Sequence, residues 1–380
     1  MLDWITLSNF KNHAYTRIDL RGLTLLVGPN GAGKSGVLQG IHLVSQLLKP
    51  GTKFVSTASN RPEVLIRRGE SDAFIQLVRE HSDPNQSNGM LLDLTYHAAS
   101  KSGSLGEIHF QDGVQEAQDV IVPSRSPLLH TIREVLGFAV YLRFSPKNLA
   151  EPSYLGSASA AIDGEGYGLA STLAHLMTFE RDRFEELEAA VQSILPAVKR
   201  IRVRRVEVKN PRSSVASRAS SGLISKEPIA VLADELVLDM RSGNALPPQA
   251  ISEGTLIVLG LLTVLVGPDC PRLVLIDDID QSLHPRAQAQ LVSLLRDLIT
   301  KREVQVVATS HSPYLIDELE QDEVWVMSAR PDGTAAAACL AQHPDAERFR
   351  NVLRTGEFLS SVGEDWVLGG EATDAAGIDR

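Results

Sequence analysis

Gly28-Pro29-Asn30-Gly31-Ala32-Gly33-Lys34-Ser35 follows directly on the apolar run Leu23-Thr24-Leu25-Leu26-Val27. It leads into a segment, Ser35 to Leu48, with apolar residues at Val37, Leu38, Ile41, Val44, Leu47 and Leu48. The octet fits the phosphate-binding pattern G-x-x-x-x-G-K-[S/T], and it has the context that pattern needs, an apolar strand before it and a helix-period segment after it. Glycines let backbone N–H groups turn inward around phosphate oxygens. The N-terminus of the following helix adds a favourable dipole. Asn30, Gly31, Ala32 and Gly33 are therefore expected to line phosphates, Lys34 to reach the β and γ phosphates, and Ser35 to ligate Mg²⁺. The bland alternative, a Gly-rich turn with an incidental lysine, does not account for the agreement of pattern and context.

Three later stretches extend this reading. Arg272-Leu273-Val274-Leu275-Ile276-Asp277-Asp278 reads as a buried strand ending in two carboxylates. Acids at the C-terminal end of a core strand lie where open α/β sheets bind ligands. Asp277 is expected to hold Mg²⁺ and Asp278 to stand where a carboxylate would activate water. Val304 to His311 reads as a second buried strand, and His311 at its end suits a γ-phosphate sensor. Ile251-Ser252-Glu253-Gly254-Thr255 opens an apolar helix over Leu256 to Val266. Alone it is an ordinary helix cap with a first-turn Glu. About twenty residues before the acidic strand, Ser252 and Gly254 become candidate nucleotide contacts.

The chain has 380 residues, 43% hydrophobic and 22% charged, with a net charge of −10. That balance is typical of globular proteins and disfavours a strong stand-alone nucleic-acid binder, though local patches act independently of net charge. No apolar run approaches the ~18–20 residues that span a bilayer. The first residues lack the order of a signal peptide, and Cys270 and Cys339 form no metal or disulfide pattern. The expectation is a cytoplasmic protein with no membrane association. Strands are expected at 4–7, 15–20, 73–78, 91–96 and 140–144, and helices at 127–136, 169–176 and 184–195. Residues 211–225 are Ser-rich and read as a loop or disordered insert. Lys199 to Lys209 alternates basic and apolar residues, which places Arg200, Arg202 and Arg204 on one face as the best DNA-contact candidate. A charged edge strand that resists aggregation is the competing reading. The segment from Arg354 to Trp366 is distinctive and is expected to dock on the protein's own core.

The order of these motifs resembles the ABC ATPase set, in the bacterial AAA-family branch related to RecF, SMC and OLD-type proteins. The residues that carry the resemblance are Gly33-Lys34-Ser35, Ser252 to Thr255, Leu275 to Pro285 with its Leu283-His284-Pro285, and Ala308-Thr309-Ser310-His311-Ser312-Pro313. Leu7-Ser8-Asn9-Phe10-Lys11-Asn12 is similar to the start of RecF and SMC heads. The resemblance implies an α/β P-loop NTPase of the ABC ATPase type, with a mainly parallel core sheet, an antiparallel N-terminal β subdomain and a helical lobe. It suggests a first ATPase lobe over 1–125, an insert lobe over 126–250, a second ATPase lobe over 251–368 and a disordered tail from 369. It implies ATP and Mg²⁺ as cofactors. It further implies a homodimer with ATP sandwiched between heads, Ser252 and Gly254 of one chain meeting the γ-phosphate held by Lys34 of the other. Asp280 to Pro285 would be the D-loop at that seam. A partner effector, a nuclease by preference, and a role in DNA repair or anti-phage defence would fit the family.

Three departures qualify the resemblance. Asp278 stands where relatives carry Glu, so hydrolysis is expected to be slow or assisted by Asp280. Ile257 stands where relatives often carry a basic residue. The Q-loop is not evident, and Gln76 is its best candidate as a further metal contact. No sustained heptads separate the two halves, and only about 70 residues follow His311, too few for an added nuclease domain. The alternatives are an ATP-gated regulatory scaffold with little hydrolysis and, third, the nucleotide subunit of a transporter.

Overall fold

The computed structural model describes residues 1–48, 62–80, 89–97, 102–111, 114–118, 136, 139–154, 161–209, 230–267 and 270–369. The expected 211–225 loop, the tail from 370 and all but Leu136 of the expected helix over 127–136 lie outside these residues. The strands are β1 (Trp4–Phe10), β2 (His13–Asp19), β3 (Leu23–Val27), β4 (Asp72–Glu80), β5 (Gly89–His97), β6 (Ser102–Gln111), β7 (Val114–Gln118), β8 (Val140–Leu142), β9 (Val198–Lys209), β10 (Ala230–Met240), β11 (Ala245–Leu246), β12 (Leu273–Ile276), β13 (Gln305–Ser310), β14 (Val324–Ala329) and β15 (Ala335–Cys339).

The chain forms two compact units. The first holds Met1–Tyr141, Arg272–Asp280 and Leu295–Arg380; the second holds Leu142–Pro271 and Gln281–Leu294. The core sheet runs in the order β15-β14-β3-β13-β12-β8. Within it β3, β12, β13 and β14 are parallel and β15 is antiparallel to β14. Every residue of β3, β12 and β13 is buried, the pattern of strands covered on both faces. A second sheet, β2-β1-β4-β5-β6-β7, is antiparallel throughout. The fold is thus the expected α/β P-loop architecture.

The helix Lys34–Leu47 joins these sheets. Its Val37, Leu38, Ile41 and Val44 are fully buried in a core shared with Ile5, Leu7 and Phe10 of β1, Ile75 and Leu77 of β4, and Leu26, Leu275 and Val307 of the parallel sheet. That apolar spacing, not helix propensity alone, holds the phosphate loop at a fixed place.

The second unit carries the helices Leu169–Phe179, Arg181–Ile194 and Glu253–Val266 and the small sheet β11-β10-β9. Helix Arg181–Ile194 begins three residues before the apolar period suggests. An Asp182 in its first turn and an Arg181–Glu185 pair at 2.8 Å favour the earlier start. Helix Glu253–Val266 is buried almost all round, as its continuous apolar sequence requires. Among the described residues no helix is long and apolar enough to cross a membrane.

Candidate nucleotide site

The phosphate loop leaves the end of β3, and its neighbours leave too little room for a side chain at Gly28 and Gly33. At Gly28 (φ 140°) an added Cβ would lie 2.0 Å from the Met327 carbonyl oxygen of β14. At Gly33 (φ 100°) it would lie 2.9 Å from the His13 ring. His13 is fully buried beneath the loop, with Nδ1 2.9 Å from the Thr16 hydroxyl and Nε2 3.1 Å from the Gly33 carbonyl. Burial holds its pKa down to about 4, so the ring is neutral and Nε2–H donates to Gly33. Asn12 braces the loop beside it, donating from Nδ2 to the Gly31 carbonyl at 3.0 Å.

The Lys34 ammonium donates to the carbonyls of Gly28 and Pro29 at 2.7 and 2.9 Å. It is thereby drawn across the loop, with the acids Asp278, Asp277, Asp280 and Glu364 within electrostatic reach. Burial pushes its pKa below the ordinary lysine value, and those four carboxylates act in the other direction.

Asp277 is the hub. Its Oδ1 accepts from Ser35 Oγ at 3.0 Å and from Thr309 Oγ1 at 2.8 Å, and its Oδ2 accepts from the Tyr141 hydroxyl at 2.9 Å. Three donors on one buried carboxylate fix its direction. The Thr309 hydroxyl also accepts from the backbone N–H of Asp278 at 2.8 Å, so the ends of β12 and β13 are zipped together. Ser35 and Asp277 supply adjacent hard oxygens, the donor type that Mg²⁺ takes alongside nucleotide phosphates and water. Among the described residues no group of three or more His, Cys, Asp or Glu side chains could hold a metal ion; one or two protein oxygens are the usual share at a Mg²⁺–phosphate site.

Asp278 follows in the left-handed region (φ 54°) with an exposed side chain. Partial burial and the charges of Asp277 and Asp280 raise its pKa, and His311 and Lys34 oppose them. Asp280 accepts from the His311 backbone N–H at 3.3 Å, and the His311 side chain is exposed. Lys34, Ser35, Asp277, Asp278 and His311 thus meet at the C-terminal ends of β3, β12 and β13, which are neighbours in the sheet.

Gln76 lies in the middle of β4, opposite Thr6 of β1 and Asp93 of β5, in a strand ladder and not in a loop. In the second unit Ser252 is the N-cap of helix Glu253–Val266. Its Oγ donates to Thr255 Oγ1 at 2.8 Å and accepts from the Thr255 N–H at 3.4 Å. At Gly254 an added Cβ would lie 2.3 Å from the Ser282 carbonyl oxygen, and Ser282 donates to Glu253 at 3.1 Å. Glu253 and Gly254 thus pack directly on Ser282. Ile257 is buried, which explains the missing basic residue. On β9, Arg202, Arg204 and Arg205 pair with Asp239, Glu235 and Asp234 of β10 at 2.5, 2.5 and 2.7 Å. The basic strand faces an acidic partner strand, and Arg200 stands across from Asp239 in the register.

Sequence reasoning does not mark Tyr141, Asn12 or His13 as site residues, and it reaches Thr309 only as a strand residue and a member of the Ala308-to-Pro313 motif, with no role of its own. Asn12 sat at the end of the Leu7-to-Asn12 resemblance; Tyr141 carried no local spacing signal.

Residues 138–317 match the family described as "AAA domain, putative AbiEii toxin, Type IV TA system", and residues 5–135 match one described as "AAA domain". The Septu protein PtuA of Bacillus thuringiensis is 33% identical over 64 residues, 17% of this chain and 16% of that protein. The DNA double-strand break repair Rad50 ATPase of Methanopyrus kandleri is 39% identical over 79 residues, 20% of this chain and 8% of that protein. In these matches the chain spans less than a fifth of either relative's length. Among solved structures, an SMC head bound to the C-winged helix domain of ScpA superposes with a TM-score of 0.57 at 16% identity, covering 91% of this chain and 99% of that one. An SMC head with an extended coiled coil, bound to the C-terminal domain of ScpA and derived from Pyrococcus furiosus, gives 0.50 at 12% identity, covering 89% and 95%. At such identities these two carry the fold alone. Two AAA-domain matches thus lie side by side along a chain with the fold of an SMC head, and the motif order makes it similar to AAA-family ATPases of the SMC- and Rad50-like ABC type.

Proposed function

We propose that the protein binds ATP with Mg²⁺, closes around it with a second copy of itself, and hydrolyses it to reopen. The observation that carries this reading is the ligand-ready cluster in which Ser35, Thr309 and Tyr141 fix Asp277, with Asp278 and His311 beside it. Backbone N–H groups of residues 30–33 and the Lys34 ammonium bind the β and γ phosphates. Mg²⁺ held by Ser35 and Asp277 supplies positive charge to the phosphate oxygens. Asp278 accepts a proton from water as its oxygen bonds to the γ phosphorus and the bond to the β-phosphate oxygen breaks, leaving ADP and phosphate. The raised pKa of Asp278 makes it a better base than an ordinary aspartate. His311 donates to the γ phosphate. Ser252 and the helix N-terminus it caps supply donors from the second copy, and the exposure of Ser252 and Glu253 suits contact in trans.

We further read this cycle as a cytoplasmic switch that acts on a partner effector in a DNA-related process. The names of the Rad50 and Septu relatives support that direction. Direct DNA contact through Arg200, Arg202 and Arg204 draws less support, because two of the three are paired with acids. The short, exposed Asp278 favours a second reading, a nucleotide-gated scaffold that turns over little ATP.

ATP turnover by the wild type, with and without DNA, beside His311→Ala and Asp278→Glu, separates the two. Turnover that rises with DNA and falls at least tenfold in His311→Ala supports the switch. A wild type that binds ATP without turnover, and gains it in Asp278→Glu, supports the scaffold. Failure to bind ATP sinks both.

A further inference from the structure

The C-terminal segment Arg354–Gly369 touches both ends of the site. At its start, helix Thr355–Val362 is capped by a side chain from elsewhere: Asp317 Oδ1 accepts from the N–H groups of Gly356 at 2.9 Å and Glu357 at 3.2 Å. Thr355 donates to the Leu319 carbonyl at 2.5 Å. Gly356 lies so close that an added Cβ would be 2.2 Å from the Pro313 carbonyl oxygen. Pro313 and Asp317 belong to the short turn directly after His311, whose Leu315 and Ile316 are buried. The helix is therefore pinned to the back of the histidine loop.

Further along, Phe358 is fully buried, and the His343 ring meets Phe358 and Trp366 edge-on at 5.3 and 5.0 Å. The last turn, Trp366–Gly369, packs on β14 and β15. β14 is the strand whose Met327 carbonyl closes on Gly28 of the phosphate loop. Glu364, at the bend between the two helices, is one of the four acids felt by Lys34.

We infer that Arg354–Gly369 is a strap that sets the position of the His311 loop relative to the phosphate loop, and that Asp317 and Val367 are its positioning residues. This rests on the ATPase reading above. The strap reaches the histidine side through a helix cap, and the phosphate-loop side through the turn that buries Val367 and packs on β14. Losing the cap lets the His311 loop shift while the phosphate loop stays bound to nucleotide. Loosening the turn frees β14, whose Met327 carbonyl closes on Gly28.

The test is steady-state ATP turnover together with equilibrium binding of a fluorescent ATP analogue, for wild type, Asp317→Ala, Asp317→Asn and Val367→Ala. Asp317→Ala is expected to lower kcat about tenfold with analogue affinity within about twofold. Asp317→Asn keeps an acceptor oxygen for the same two N–H groups and should recover most of that loss. Val367→Ala loosens the turn on β14 and should weaken analogue binding about threefold. Wild-type kcat in Asp317→Ala overturns the strap, as does a loss equal in Asp317→Ala and Asp317→Asn. If Asp317→Ala does not fold, Val367→Ala decides, and unchanged analogue binding in that variant overturns the strap. A wild type without turnover removes the ATPase reading instead, a result distinct from any of these.

Discussion

The end of the parallel sheet and the start of helix Glu253–Val266 are both built from glycine, serine and acids, yet they are organised in opposite ways. At the sheet, each functional group is held by another. Asp277 takes three donors, Lys34 spans two carbonyls, Thr309 links two strands, and His13 supports the loop from below. At the helix, Ser252 bonds only within its own first turn, and Ser252 and Glu253 are exposed. Gly254 is tightly placed against the Ser282 carbonyl, and the Ser282 hydroxyl donates to Glu253. A pre-assembled cluster suits tight binding by one chain, since its polar groups need no reordering when phosphate arrives. An open helix N-terminus suits a contact that must form and break. On the proposed reading, nucleotide affinity is expected to reside in the first cluster and nucleotide-dependent assembly in the second.

Lys34→Ala should have the largest effect. It removes a charged donor to two phosphates and should weaken ATP binding on the order of 100-fold or more. Dimerisation with ATP should disappear in sedimentation with it. A Lys34→Ala protein that still dimerised normally with ATP would break the claim at its root.

The next effect is on stability and belongs to the sheet side alone. His13 has a folded-state pKa of about 4 against an ordinary 6.5. Between those values the unfolded chain binds a proton that the folded one refuses, so stability falls as pH falls. The contribution is complete above about pH 6.5 and fully lost below about 4, a total of about 3 kcal/mol. Roughly 2 kcal/mol of it is gone by pH 5. Lys11 is the charged group nearby, and its positive charge deepens the effect. Urea midpoints at pH 7.5 and 5 should show this loss, and His13→Asn should flatten it. An equal pH slope in both proteins would mean that His13 is not held neutral beneath the loop.

Ser252→Ala should act only on the helix side. ATP affinity of the single chain should stay within about twofold, while ATP-driven dimerisation and turnover fall about tenfold. Weaker binding by the isolated chain would show that the two regions are not divided as argued.

Much of the sheet cluster was legible in the sequence, because its signals are local. An apolar run of five, a turn of three glycines and a helix period of 3.6 sit side by side in residues 23–48. The runs ending at Asp277 and His311 could only be strands buried on both faces. What escaped was long-range. The Tyr141 hydroxyl reaches Asp277 across 136 residues, and Asn12 and His13 meet the loop 19 and 20 residues on. No spacing rule links such residues; only the order of strands does. The basic alternation of β9 is plain in the sequence, but the acids that answer it lie on β10, 29 to 37 residues further along. Gln76 offers only a residue type, and its strand sets it opposite Thr6.

Tyr141→Phe is the smallest and most discriminating change. The substitution keeps the ring, which packs at 5.5 Å against His42, and deletes only the hydroxyl. Asp277 then keeps Ser35 and Thr309 on Oδ1 and loses its bond on Oδ2. A carboxylate with one free oxygen can rotate, and a metal held through it pays for that motion in affinity. The Mg²⁺ concentration for half-maximal turnover should rise about tenfold, the lower end of the range for a partner of a metal ligand. At saturating Mg²⁺, the KM for ATP should be unchanged, since no phosphate contact has been touched. If the Mg²⁺ dependence does not move, the orientation of Asp277 is set by Ser35 and Thr309, and the cluster is tied to helix Lys34–Leu47 and β13 with no help from β8. If ATP affinity falls instead, Tyr141 acts on the phosphates themselves, and the division between metal-holding and phosphate-holding groups within the cluster has to be redrawn.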